Sequence, residues 1–172
     1  MDKNLHHQIF TLLFYAFPGG YLNDEYIFQQ LHFHWGDNSK IGSEHRIKNV
    51  TFPLEMHLVH YNSKYGDFAS SVQHQDGLVV LSVLFKIAPY DNKHLKPIMD
   101  ASRKLTMPGS KTDEDDFIEG LDLRLERLIP SNTERYFTYF GSLTTPPCSE
   151  VVTWIIFADI LGVSEEQMNQ FR

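Results

Sequence analysis

Cysteine is nearly absent from this chain: among 172 residues only Cys148 is one, so no disulfide can close within it, and composition alone points to a reducing compartment or an unpaired thiol. Clustered positive charge is missing as well. With 15 Lys and Arg against 22 Asp and Glu, the net charge is −7, and nothing in the chain suits the phosphate backbone of a nucleic acid. There is no internal repeat, no low-complexity tract and no apolar run able to span a bilayer as a helix. The stretch from Ile9 to Phe17 falls well short of the roughly 20 residues required. Its weakly charged flank, the lack of a small-x-small cleavage site and the Pro18-Gly19-Gly20 that follows disfavour a signal-peptide core. For residues 1–18 this leaves a hydrophobic strand or an unnatural start. What the chain does hold is apolar bulk, 42% hydrophobic and 13% aromatic, enough for the core of one domain.

Chemistry concentrates in two short runs. Gln30-Leu31-His32-Phe33-His34-Trp35 alternates, so as a strand it sets both imidazoles on one face. Leu54-Glu55-Met56-His57-Leu58-Val59 alternates too, with Glu55, His57 and Val59 on one face, close enough in sequence for an antiparallel neighbour to bring His57 beside His32 and His34. Taken singly, a histidine on an apolar face is more commonly a hydrogen-bonded core residue than a ligand. Three at this spacing make a three-nitrogen zinc set with the fourth position open to water. Metal-bound histidines hand their other N–H to a carboxylate or carbonyl, and Gln30 and Glu55 stand two residues from His32 and His57 on the same faces.

Around these runs, Gly36-Asp37-Asn38-Ser39 reads as a turn, Lys64 to Phe68 as another, and Leu78 to Phe85, ended by Lys86, as a strand buried on both faces. Glu44 beside His45, taken alone, reads as a solvated surface pair. Leu95, Ile98, Met99, Ser102 and Leu105 recur at helical spacing and predict a helix over 94–105. The acidic run Asp113 to Asp116 lacks the glycine and spacing of a calcium loop. Leu121 to Leu128 alternates Leu with charge and predicts a half-exposed strand, while Ser164-Glu165-Glu166-Gln167 predicts a capping box opening a helix that carries Met168 and Phe171. Gly141 to Pro147 holds Thr144-Thr145-Pro146-Pro147, a rigid loop able to aim a hydroxyl.

The motifs Gln-Leu-His-Phe-His-Trp-Gly, Gly-Ser-Glu-His, Glu-Met-His-Leu-Val-His, Lys-Tyr-Gly-Asp-Phe, Ser-Leu-Thr-Thr-Pro-Pro and Val-Thr-Trp occur together and in order. With them the chain, from about Gly19 to Arg172, closely resembles the α-class carbonic anhydrases. The resemblance implies a mostly β (α+β) fold: a large twisted, mainly antiparallel sheet with short peripheral helices and a conical cleft. It divides the chain into an N-terminal segment, 1–18, and a partial catalytic domain, 19–172. It further implies zinc on His32, His34 and His57, with Gln30 orienting His32 and Glu55 orienting His57. Thr144 would accept a hydrogen bond from a zinc-bound hydroxide and donate its own to Glu44. Val59, Val80, Leu143 and Trp154 would form the carbon dioxide pocket, with Phe68 further out, and Thr145 would contact bicarbonate. The implied activity is that of a zinc lyase, reversible hydration of carbon dioxide to bicarbonate and a proton, inhibited by sulfonamides. The alternatives are a non-catalytic binding relative or an inactive fragment.

Members of that family are longer at both ends, so the resemblance implies a chain truncated at both. Their first strands, and the histidine that shuttles protons to solvent, have no counterpart in residues 1–18, where neither His6 nor His7 aligns with the shuttle. Past Arg172 they continue into an Asn-Trp-Arg segment whose Asn carbonyl receives the N–H of the ligand matching His34. Cys148 matches a position that secreted members bridge to an N-terminal cysteine, which suggests a secreted or extracellular protein, with a cytoplasmic one as the alternative.

Overall fold

The computed structural model describes residue 22, residues 24–102 and residues 124–172, together with the strand backbone of Thr11 and Leu12. The strands, in chain order, are β1 (Thr11–Leu12), β2 (Tyr26–Trp35), β3 (Leu54–Asn62), β4 (Leu78–Ile87), β5 (Tyr136–Gly141), β6 (Val152–Phe157) and β7 (Leu161–Val163). They form one sheet in the order β1-β2-β3-β4-β6-β5, with β7 also on β4. Pairing is antiparallel except where β4 meets β6 through Leu78 to Ser82 and β7 through Phe85 to Ile87. Within residues 1–18 the described Thr11 and Leu12 form an edge strand, Thr11 opposite Ile27 and Leu12 opposite Tyr26, and the rest of that segment lies outside the described residues. The acidic run Asp113 to Asp116 lies outside the described residues.

Strand alternation sorts the sheet into two faces. Met56, Leu58, Val79, Leu81, Val83, Ile155 and Phe157 point to one side and build the main core. Each such side chain, fully withdrawn from water, contributes roughly 1.5–3 kcal/mol. His57, Val59, Val80, Ser82 and Trp154 point to the other side, which carries the site. On β2 the register slips between Phe28 and Gln30. That bulge puts the strand back in phase, so Phe28 pairs with His60 on the core side while Gln30 pairs with Val59 on the site side.

The central strand is buried from Leu78 to Phe85, as its apolar run requires, but it continues through Lys86 to Ile87 because β7 offers a partner there. Lys64 to Phe68 is the expected turn, a 3₁₀ segment at Ser63–Tyr65 followed by α1 (Phe68–Ser71), with Asp67 capping Ser70 N–H. Helix α2 (Lys96–Ser102) is shorter at its start than 94–105: Asn92 binds the backbone at His94 and Leu95 in a turn that precedes it, and 103–105 lie outside the described residues. Leu95, Ile98 and Met99 are buried on the core as the spacing demands.

The strand expected over Leu121 to Leu128 is corrected: its described part is a 3₁₀ turn, Leu125–Arg127. Leu125 and Leu128 are both buried, a three-residue spacing that a 3₁₀ turn satisfies and a strand would split between faces. The capping box forms as read. Ser164 opens α3 (Glu165–Phe171), its hydroxyl taking Gln167 N–H, and Met168 is buried.

Candidate metal centre

His32 and His57 are register partners across β2 and β3, and His34 stands opposite Glu55. Their ring nitrogens converge. His57 Nδ1 lies 3.3 Å from His32 Nε2 and 3.2 Å from His34 Nε2. The edge of a tetrahedron is about 1.63 times its centre-to-vertex length, so nitrogens about 2.0–2.1 Å from zinc stand about 3.3–3.4 Å apart. Both distances to His57 therefore match a tetrahedral ion, and the three ligand atoms all lie within 4.8 Å of one another.

They also fit in chemistry. His32 Nδ1–H donates to Gln30 Oε1 at 2.9 Å, and His57 Nε2–H donates to Glu55 Oε1 at 2.6 Å. Each ring has thereby spent its proton outward, so His32 Nε2 and His57 Nδ1 face each other as two lone pairs with no proton to share. A cation between them makes that arrangement favourable. Burial, with the charges of His57 and His34, pushes the His32 pKa down to about 4. Burial and His57 likewise lower His34. Both rings are neutral at pH 7, as ligand nitrogens must be.

Glu55 is fully buried. Burial alone would favour its neutral form, but hydrogen bonds from His45 and His57 outweigh it and hold the carboxyl well below the usual range. His45 grips both oxygens, its backbone N–H on Oε2 at 2.8 Å and its Nδ1–H on Oε1 at 2.5 Å. The Tyr139 hydroxyl donates to His45 Nε2 at 2.8 Å, and Ser82 Oγ donates to Glu55 Oε1 at 2.7 Å. Sequence reasoning passed over His45, Ser82 and Tyr139. A lone polar side chain inside the apolar run of β4 was the available signal for Ser82. The grouping of His45, Glu55 and His57 is likewise close enough to hold an ion, but their facing atoms are already joined by hydrogen bonds.

Glu44 and His45 are not a solvated pair. The Glu44 carboxylate reaches to 3.4 Å from His34 Nε2 and 4.0 Å from His57 Nδ1. Their loop leaves β2 through Gly36 and Gly42, and Gly42 has φ +152° with a Cβ there meeting the Pro53 carbonyl oxygen at 2.3 Å. Only glycine permits that approach.

The apolar residues read from the sequence come together. Val59, Val80 and Trp154 are buried in one cluster against which Leu143 and Phe68 pack. The Trp154 ring centroid is 4.8 Å from that of His57, so the cluster adjoins the three nitrogens. Trp154 Nε1–H also holds the Ser142 carbonyl at 3.2 Å, pinning the start of the loop that carries exposed Thr144 and Thr145. That loop closes with Leu143 N–H on Ser149 O and Cys148 N–H on Thr145 O. Cys148 is exposed.

Comparison with known proteins agrees with this geometry. The model of the eukaryotic-type carbonic anhydrase family matches residues 5–172. Similar curated proteins include carbonic anhydrase 6 of Canis lupus familiaris, 42% identical over 83% of this chain and 44% of its own length. Carbonic anhydrase 1 of Oryctolagus cuniculus is 41% identical over 90% of the chain and 63% of its own length. Carbonic anhydrase 1 of Mus musculus is 40% identical over 90% and 56%. The chain therefore spans about half the length of the relatives it matches.

Proposed function

The chain belongs to the eukaryotic-type carbonic anhydrase family, and on that premise we propose that it hydrates carbon dioxide reversibly to bicarbonate and a proton, using zinc held by His32, His34 and His57. Zinc, when bound, supplies a Lewis acid that brings the pKa of its water to about 7, a general property of carbonic anhydrases, and so provides a nucleophile at neutral pH. The observation that carries the reading is the convergence of His32 Nε2 and His34 Nε2 on His57 Nδ1, at 3.3 and 3.2 Å, with the other nitrogens of His32 and His57 bonded outward to Gln30 and Glu55.

The remaining work falls to the chain's own residues. Gln30 and Glu55 keep the two rings turned with lone pairs inward. Val59, Val80, Leu143 and Trp154 offer carbon dioxide, an apolar molecule, a wall that adjoins the nitrogens and excludes water, and Phe68 extends it. With zinc bound, Thr144 would donate its hydroxyl proton to Glu44 and accept one from the attacking oxygen, which would turn a lone pair of that oxygen toward carbon. Thr145 receives bicarbonate. Stated atom for atom, carbon dioxide and water give bicarbonate and one proton.

No helix among the described residues is long and apolar enough to cross a membrane. Exposed Cys148 suits a bridged thiol in a secreted protein, and equally a free one in the cytoplasm. Stopped-flow hydration of carbon dioxide by zinc-loaded protein, read with a pH indicator, tests the activity. Turnover that a sulfonamide abolishes is expected. Zinc-loaded protein with no turnover would mark a non-catalytic relative instead.

A further inference from the structure

Strand β4 is buried from Leu78 to Phe85, and Ser82 is the one polar side chain in that run. It is fully buried and stands directly opposite His57 in the sheet register. A hydroxyl taken out of water in an apolar strand is costly unless bonded, and this one donates to Glu55 Oε1 at 2.7 Å. Glu55 does not need Ser82 to be held in place, because His45 already grips both of its oxygens. Oε1 instead carries three donors, from His45, His57 and Ser82, against two lone-pair sites on one oxygen. Ser82 and His57 thus compete for the same charge.

We propose that Ser82 is a positioning residue of the zinc centre, one that attenuates it: by occupying Glu55 Oε1 it weakens the pull of Glu55 on His57 Nε2–H and so moderates His57 Nδ1 as a donor. The proposal rests on the zinc reading above and adds a determinant of how tightly the metal is held. An outward hydrogen bond that strengthens makes the imidazole more basic and the metal tighter, and partners of this kind shift affinity about 10–100-fold.

Two readouts test it, neither of them turnover. Release of zinc to a chelator should be slower from Ser82→Ala than from the parent by on the order of 3–10-fold, a part of the range for outer hydrogen-bond partners. The His57 Nε2–H proton resonance should move downfield as its bond to Glu55 shortens. Ser82→Gly, which also lacks the hydroxyl, should do the same, and Ser82→Thr, which keeps it, should behave as the parent. Unchanged or faster release from Ser82→Ala, with the His57 proton unmoved, would overturn the proposal. Parent protein that takes up no zinc would sink the metal reading, while the His57 resonance would still show whether Ser82 competes for Glu55.

Discussion

Glu55 Oε1 and His57 Nε2 are 2.6 Å apart, and this one hydrogen bond decides which nitrogen of His57 is left for a metal. Glu55→Gln keeps the shape and removes the charge. Its amide nitrogen must also face one of the donors, from His45, His57 or Ser82, that converge on the carboxylate. Zinc affinity should fall about 10–100-fold, and stability by about 1–3 kcal/mol for the donors left unsatisfied. Chelator competition and denaturant melts measure the two effects.

Thr144 sits on the exposed loop after β5, outside the three-histidine set. Thr144→Ala should lower turnover on carbon dioxide on the order of 100-fold, the effect of misplacing a nucleophile, and leave the zinc content as in the parent. Equal turnover in the two proteins would remove Thr144 from the mechanism.

Glycine at position 42 lets the loop carrying Glu44 and His45 approach Pro53. Gly42→Ala places a Cβ against the Pro53 carbonyl in a backbone region that other residues avoid. A loss of stability above about 1 kcal/mol is expected, with weaker zinc binding because His45 loosens its grip on Glu55. A melt and a zinc titration on the same sample check both halves.

His60 is fully buried on the core side of β3, edge-on to Phe28. Burial pushes its pKa down to about 4 despite its hydrogen bonds to backbone. The unfolded chain, with an ordinary histidine near 6.5, binds the proton first, so its folded, neutral form favours folding fully above about pH 6.5. That contribution is lost as pH falls toward about 4, and amounts to at most about 3 kcal/mol. Denaturant melts at pH 7 and pH 5 should show a steeper loss for the parent than for His60→Gln.

Much of the centre was legible because strand alternation is a local rule. His32, His34, Gln30, Glu55 and His57 could be placed on faces from their spacing alone, and the sheet pairs His32 with His57. Ser82 and His45 were not legible in the same way: their contacts with Glu55 join residues 27 and 10 apart, across separate strands or out of a loop. The slip on β2 between Phe28 and Gln30 carries no glycine or proline to announce it. Around Leu125 and Leu128 the pattern of Leu and charge suited two periods, and burial of both side chains chose the 3₁₀ turn. The pocket residues Val80, Leu143 and Trp154 come from three different stretches, so it was the family resemblance that linked them to His57.

Zinc content measured for the purified parent and for His57→Ala tests the central claim most directly. The parent should hold one zinc per chain, and His57→Ala, left with two convergent nitrogens, should lose it while remaining folded. The same amount of zinc in both would contradict the three-histidine centre.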